Sequence, residues 1–216
     1  MVDVVVNHLV SQNSTPSFSA FNPFNDQSYF HPRCLITDYN NQTNVEQCWL
    51  GDDQLPLADV NTERDDVVKT YNDWIKTLVG NYSVDGVRID TVKHVRKDFW
   101  PNFASSSGVF TIGEVLHNET SYVADYTREC KFSCLPYLAD CPWLGVIDGV
   151  LDYPTWFPLV AGFQTKFGNL STLVNVITSA QGSYKNGLFG TGSFLDNHDQ
   201  PRFLSLSNDT AVWLTL

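Results

Sequence analysis

Two strand-like segments of this sequence end in acidic side chains with different surroundings. Arg88 and Asp90 alternate with Val87 and Ile89, so a β-strand would place the guanidinium and the carboxylate on one face. An arginine beside Asp90 would keep it ionised, whereas burial would keep Glu114, after the next apolar run, protonated. Glycoside hydrolysis with retention needs such a pair, one as nucleophile and one as general acid/base. A structural ion pair would use Arg88 and Asp90 equally well.

A third carboxylate, Asp199, lies in the segment FLDNHDQPRF at residues 194–203. His198 precedes it, and an imidazole at the same end could hydrogen-bond sugar hydroxyl groups. A capped loop with exposed polar side chains would have the same composition. The position of Asp199 after a predicted strand favours a functional role.

The segments that position these residues alternate between strand and helix patterns. Residues 65–80 carry apolar side chains at helical spacing, begin with two aspartates and end in Gly80, which predicts a helix. Apolar and β-branched runs predict strands at residues 2–6, 84–90, 109–114, 146–151 and 193–198.

Alternating strands and helices indicate a parallel sheet covered by helices, the α/β class. Several of the predicted strands end in polar residues, and a TIM (β/α)8 barrel gathers its active site at those ends. The alternative, a doubly wound sheet, needs a glycine-rich phosphate loop after the first strand, and VNHLV at residues 6–10 is unlike one. The expected architecture is therefore a TIM barrel.

Residues 9–60 form a long stretch rich in Asn, Ser, Pro and aromatic residues. A connection of this length is expected to be a small inserted subdomain. Cys34 and Cys48 lie within it, close enough in sequence for a local disulfide worth about 3 kcal/mol. The predicted division is a catalytic barrel at residues 1–8 and 61–216, with the inserted subdomain at residues 9–60.

Sequons and cysteines both favour an extracellular location, although the first residues lack the basic and apolar regions of a signal peptide. Six Asn-X-Ser/Thr sequons occur, at Asn13, Asn41, Asn81, Asn118, Asn169 and Asn208. Cys130, Cys134 and Cys141 leave an odd thiol. A disulfide with one absent partner is favoured there; a zinc site is the alternative, but no His stands at ligand spacing beside the three cysteines.

The composition argues against two classes of partner. A formal net charge of −11 disfavours nucleic acid and anionic membrane surfaces, which are bound through lysine and arginine. A run of about 18 apolar residues, which a membrane span would need, does not occur in the sequence. We expect a neutral substrate and a monomeric protein.

Four segments resemble the conserved regions of the α-amylases, glycoside hydrolase family 13, in the order of that family. They are DVVVNH, GVRIDTVKH, GEVL and FLDNHD, at residues 3–8, 86–94, 113–116 and 194–199. The sequences at residues 29–32, 48–52 and 81–86 are similar to fungal secreted α-amylases in particular. The resemblance implies the barrel fold and retaining endo-hydrolysis of α-1,4-glucosidic bonds in starch or glycogen.

Two other functions stay open at this point. An exo-acting α-glucosidase or a glucanotransferase of the same family would use the same carboxylates, although Lys93 and His94 after the nucleophile are typical of α-amylases. A non-catalytic amylase-like binding module is the second alternative. Such relatives lose their carboxylates, whereas Asp90, Glu114 and Asp199 are all present here.

The resemblance also implies the role of each site residue. Asp90 is the expected nucleophile, Glu114 the general acid/base and Asp199 the carboxylate that stabilises the transition state. Arg88 is expected to orient Asp90, and Arg202 to support Asp199. The other expected substrate-binding residues are His8 and His198 in the cleaved subsite, and Lys93 and His94 on the leaving-group side.

The structural calcium of the family, Ca²⁺, is implied as well. Its expected ligands are the side chains of Asn7 and Asp59 and the main-chain oxygens of Glu46 and His94, which would tie the insertion to the barrel. Oxygen ligands suit this hard cation. Ordinary capping or turn roles are the alternative for Asn7 and Asp59.

The resemblance places the chain at strands 3 to 7 of the family's barrel. The family has two strands before this stretch, and a last strand and a β-sandwich domain after it. An incomplete barrel leaves unpaired strand edges and exposed apolar helix faces. We therefore expect the isolated 216-residue chain to be inactive.

Overall fold

The computed structural model describes residues 1–11, 15–127, 146–165 and 168–207. The chain divides into two units, Met1–Glu114 and Val115–Leu216. The predictions that concern five residues therefore fall outside the described part of the chain. These residues are the sequons at Asn13 and Asn208 and the cysteines Cys130, Cys134 and Cys141.

A parallel sheet runs through the first unit, as the sequence pattern predicts. Its strands pair in the order β1 (Val2–Val4), β5 (Gly86–Ile89) and β6 (Phe110–Gly113). The predicted first strand, residues 2–6, is too long at its carboxyl end. The Asp90 N–H donates the last hydrogen bond to Val4 O, and the chain then pairs elsewhere, with Val60 N–H donating to Asn7 O. This hydrogen bond to Val60 takes the chain away from β5 and ends β1.

Helix α2 (Asp65–Tyr82) packs against helix α3 (Trp100–Ser107) in the same unit. Its buried residues, Val67, Tyr71 and Ile75, are four positions apart, which confirms the predicted helical face. The Tyr71 hydroxyl donates to Val6 O at 2.8 Å, two residues after the end of β1. The helix is thereby attached to the segment that leads into the insertion.

The predicted helix stop at Gly80 is wrong, because α2 continues for two more residues, to Tyr82. Ser83 adopts the left-handed conformation that ends the helix, with φ 50° and ψ 50°. The Val84 N–H then donates to Val79 O, which satisfies a carbonyl of the last turn. A serine thus takes the position for which glycine is usual.

A three-stranded antiparallel sheet begins at His8 and otherwise lies within residues 9–60, the segment that the sequence predicts as an insertion. Its strands pair in the order β2 (His8–Val10), β4 (Pro56–Asp59) and β3 (Leu50–Gly51). Helix α1 (Gln42–Gln47) precedes β3, and the predicted disulfide between Cys34 and Cys48 is present. The boundary of this subdomain at residues 9–60 stays a prediction.

The second unit is largely helical in its described part. Its elements are α4 (Thr120–Ala124), β7 (Gly149–Val150), α5 (Tyr153–Phe163), α6 (Leu170–Ser183) and α7 (Phe203–Leu206). Tyr153, Trp156 and Val160 of α5 form a buried cluster with Phe203. Across the described ranges, no helix is long and apolar enough to cross a membrane.

The predicted strand at residues 193–198 is wrong, since these residues form no strand. One parallel bridge joins Leu151 and Gly192, and α5 begins immediately afterwards, at Tyr153. Pairing ends there because β7 is short and no further residue of it continues the ladder. The Trp156 indole instead donates to Leu195 O at 2.9 Å, and this hydrogen bond holds the chain without a ladder.

Candidate functional site

Arg88 joins three carboxylates of the first unit. It lies on the central strand β5, and its Nη1 is 2.6 Å from Asp90 Oδ1 and 3.0 Å from Asp3 Oδ1. Its Nη2 is 3.4 Å from Glu114 Oε2. Parallel register explains the meeting, because Asp3 on β1 is paired with Arg88, and Glu114 directly follows β6. Neighbouring parallel strands therefore deliver all three carboxylates to one cation.

The surroundings of Glu114 raise the pKa of its carboxyl group. Its side chain is only 11% exposed, and burial raises the pKa of its carboxyl group. The Thr91 N–H and Arg88 oppose this rise, whereas the charge of Asp90 and a hydrogen bond between the two side chains add to it. Arg88 thus contacts Asp90 at 2.6 Å beside a Glu114 whose pKa is raised by burial.

Thr91 holds an unusual backbone conformation between Asp90 and the residues that follow. Its φ is 51° and its ψ 37°, in the left-handed region, which is strained for a β-branched residue. In this conformation the Thr91 N–H reaches Glu114 Oε2 at 3.0 Å. The strain is therefore stored where a backbone donor positions the candidate acid.

A short 3₁₀ turn, Val92–His94, places Lys93 and His94 after this residue. Burial and the charge of Lys93 lower the pKa of His94 to about 3. Burial likewise lowers the pKa of His8, although the charge of Asp90 acts in the opposite direction. The Lys93 ammonium lies 5.0 Å from the centroid of the Tyr39 ring. The imidazoles of His8 and His94 are therefore neutral near pH 7, and a neutral imidazole can both donate and accept a hydrogen bond.

Asn7 and Asp59 are almost fully buried, each with 1% of its surface exposed. They become neighbours because His8 on β2 is paired with Asp59 on β4. Asp59 Oδ2 is 2.5 Å from His31 Nδ1, whereas Asp59 Oδ1 is buried without a hydrogen-bond donor among the described residues. Burial raises the pKa of this carboxyl group to about 7, opposed by His31. An orphaned buried oxygen of this kind suits a bound cation.

Glu46 and His94 approach each other because α1 packs against the turn Val92–His94. His94 Nδ1 is 3.3 Å from Val45 O, and the Gln42 side chain donates to Lys93 O at 2.9 Å. Within the described ranges, no group of three or more His, Cys, Asp or Glu side chains could hold a metal. The predicted calcium ligands are not such a group, because they are one side-chain amide, one carboxylate and two main-chain oxygens. This oxygen set fits calcium.

His198, Asp199 and Arg202 share one turn of the second unit. Asn197 organises this turn: its Oδ1 accepts hydrogen bonds from the N–H groups of Asp199, at 3.1 Å, and Gln200, at 2.9 Å. Arg202 Nη1 donates to Asn197 O at 2.7 Å. His198 Nε2 is 3.4 Å from Asp199 Oδ2. The predicted residues of this segment are thus brought together by a turn.

Comparison with known proteins establishes the family and the fold of this chain. A sequence model of the family described as "Alpha amylase, catalytic domain" matches residues 1–215. The chain belongs to this family. The α-amylase architecture also accounts for the fold, since the chain superimposes on an α-amylase from Malbranchea cinnamomea with a TM-score of 0.84 and 38% identity, covering 97% of this chain. The predicted fold class, part of a TIM barrel, is confirmed.

Two further relatives extend the α-amylase comparison. "Alpha-amylase 1" of Lipomyces kononenkoae is 44% identical over 98% of this chain. An α-amylase from Geobacillus thermoleovorans, solved in complex with acarbose, is 30% identical over 97% of this chain, with a TM-score of 0.76. The chain spans 31% of the Lipomyces protein and 41% of the Malbranchea structure.

Sequence reasoning missed two residues of these candidate sites, Thr91 and His31. Thr91 gave no signal, because nothing in a sequence marks a threonine for the left-handed conformation. His31 lies between Asp59 and Glu63, with its Nε2 2.7 Å from Glu63 Oε2. Burial would lower the pKa of His31, but hydrogen bonds to the two carboxylates raise it to about 9. The conspicuous segment YFHP contains His31, but only the fold brings this residue to Asp59.

Proposed function

We propose that this protein hydrolyses internal α-1,4-glucosidic bonds of starch or glycogen with retention of anomeric configuration. One observation supports the proposal above all others. Arg88 contacts Asp90 and Glu114 together, while burial raises the pKa of Glu114. This arrangement supports a nucleophile paired with a cation beside an acid whose pKa is raised, the division of labour that double displacement requires.

In the proposed mechanism, Asp90 attacks the anomeric carbon as Glu114 protonates the departing glycosidic oxygen. A covalent glycosyl–enzyme intermediate forms, with its sugar attached to Asp90. Glu114, now ionised, then removes a proton from water, which attacks the same carbon and releases Asp90. Asp199 is proposed to stabilise the positive charge that develops on the sugar ring in both steps.

Four side chains are proposed to contact the sugar on either side of the cleaved bond. His8 and His198 are proposed to hydrogen-bond the sugar in the cleaved subsite, and Lys93 and His94 the sugar on the leaving-group side. The lowered pKa values of His8 and His94 support neutral imidazoles, which pair with hydroxyl groups. Arg202 is proposed to support Asp199 through the carbonyl group of Asn197.

Calcium is proposed as a structural ion held by the side chains of Asn7 and Asp59 and the main-chain oxygens of Glu46 and His94. When bound, it supplies positive charge that compensates the buried Asp59 carboxylate and ties the insertion to β5 through the turn at His94. The buried Asp59 Oδ1, which lacks a donor among the described residues, supports this assignment.

An extracellular location is proposed as well. The disulfide between Cys34 and Cys48 supports it. So do the sequons of the described chain, whose asparagines are all exposed: Asn41, Asn81, Asn118 and Asn169. A mass decrease on treatment with an endoglycosidase, for protein recovered from the medium of a eukaryotic host, is the expected result.

Product analysis on soluble starch tests the function, using the protein expressed from its own gene. A spread of maltooligosaccharides released initially as α-anomers, followed by NMR, is expected for a retaining endo-hydrolase. Glucose alone would indicate an exo-acting α-glucosidase, and longer transfer products a glucanotransferase. Starch or acarbose binding without hydrolysis would indicate a non-catalytic module; the acarbose complex of the Geobacillus α-amylase makes acarbose a suitable probe.

A further inference from the structure

Tyr153 is a buried aromatic residue of the second unit with a polar contact at its edge. It is 0% exposed at the start of α5, and its ring lies 5.0 Å from that of Phe194 in an edge-on arrangement. The ring belongs to the buried apolar cluster of α5, and the hydroxyl oxygen makes the polar contact. It accepts a hydrogen bond from Asn197 Nδ2 at 2.7 Å.

Asn197 has a single possible amide orientation in this arrangement. Its oxygen faces the backbone N–H groups of Asp199 and Gln200, which can only donate, so the Nδ2 group must face Tyr153. The Tyr153 hydroxyl thus accepts from one end of the amide while the other end holds the turn. Rotation of the Asn197 side chain would break all three hydrogen bonds together.

Within the described part of the chain, the side chains of His198 and Asp199 are 69% and 42% exposed, so packing restrains them only in part. The hydrogen bond from the Asp199 N–H to Asn197 Oδ1 fixes the backbone from which the Asp199 carboxylate extends. Two buried residues hold the start of this turn. The Trp156 indole donates to Leu195 O, and the Phe203 N–H donates to Asp196 Oδ1 at 2.7 Å. Tyr153 acts further along, at Asn197, directly on the turn that carries Asp199.

We propose that Tyr153 is a positioning residue for Asp199, acting through the amide of Asn197. The inference rests on the proposed function, in which Asp199 stabilises the transition state. The aromatic ring serves the core, and the hydroxyl holds the turn in its working geometry. Removal of the hydroxyl should affect the transition state more than substrate binding, because a slightly displaced carboxylate loses its alignment with the developing charge.

Tyr153→Phe tests the inference in the protein expressed from its own gene, because it deletes the hydroxyl and keeps the ring. We expect kcat on soluble starch to fall about tenfold, with KM changed by less than about twofold. Tyr184→Phe is the matched control. It removes another tyrosine hydroxyl of the same unit, which donates to buried Asp152 at 2.9 Å. It is expected to lower Tm and leave kcat within about twofold.

A double-mutant cycle separates positioning from general loosening. If Tyr153 acts through Asn197, Asn197→Ala with Tyr153→Phe will have the kcat of Asn197→Ala alone. Multiplicative losses in the double mutant, or wild-type kcat in Tyr153→Phe, would overturn the inference. A wild-type protein without activity on starch would overturn the proposed function and the inference with it. An active wild type with an unaffected Tyr153→Phe overturns only the inference.

Discussion

The two units of this molecule hold their candidate catalytic carboxylates in different ways. In the first unit, Asp90 and Glu114 follow neighbouring strands and contact Arg88, with side chains only 21% and 11% exposed. In the second, Asp199 is 42% exposed on a turn that Asn197 organises. Burial and ion pairing change a pKa, whereas an exposed turn only positions a charge. We therefore assign the proposed proton transfer to the strand ends and propose a positional role for Asp199.

Glu114→Gln should have the largest effect, because it removes the proton donor that burial in the first unit sustains. We expect kcat on soluble starch to fall by about 10²–10⁴-fold with an unchanged fold. Exposed Glu119→Gln is the matched control and should retain wild-type kcat. Comparable activity in Glu114→Gln and Glu119→Gln would refute the assignment of Glu114 as the acid.

Arg88→Met tests whether one cation holds the strand-end carboxylates together. Loss of a buried partner should lower the free energy of unfolding by about 3 kcal/mol, measured by denaturant titration. Arg88 lowers the pKa of Glu114, so its loss should raise that pKa further. The acid must be protonated to act, so activity falls as pH rises through the pKa of Glu114. The alkaline limb of the residual activity should therefore move to higher pH; a shift to lower pH contradicts the geometry.

Calcium removal should loosen the insertion of the first unit while the turn around Asp199 is spared. Calcium at about 100 times its Kd would stabilise the folded protein by about 2.7 kcal/mol, and a chelator should remove this stability and speed proteolysis within residues 9–60. Asp59→Asn should abolish the response. Asp53→Asn, at an exposed carboxylate paired with Arg33, should respond like the wild type. Chelator-independent proteolysis of the wild type would count against the metal site.

The smallest effect compares Ser83 and Thr91, the two non-glycine residues with positive φ among the described residues. Ser83→Gly relieves left-handed strain at an exposed helix end and should raise stability by about 0.5–1 kcal/mol without changing kcat, measured on deglycosylated protein because it removes a sequon. Thr91→Gly relieves the same strain but frees the N–H that contacts Glu114. It should lower kcat; equal kcat in both variants would show that the Thr91 conformation has no role in positioning.

Much of the first unit could be predicted from local pattern. Strand alternation placed Arg88 and Asp90 on one face, and the parallel register then joined them to Glu114. Helical spacing predicted the buried face of α2 correctly. The end of the helix was predicted at Gly80, but the left-handed residue that ends it is Ser83. The predicted strand at residues 193–198 failed because strand formation depends on a partner, and short β7 offers only one rung.

The sequence by itself determined which residue types end each apolar run, and with them the α-amylase motifs and the pair Asp90 and Glu114. Only the tertiary structure decided which groups surround them: His31 beside Asp59, the Thr91 N–H on Glu114, and Tyr153 beneath Asn197. The reason is physical. Alternation along a strand is a local steric property, whereas burial, pKa and hydrogen-bond partners depend on chain segments that meet only after folding.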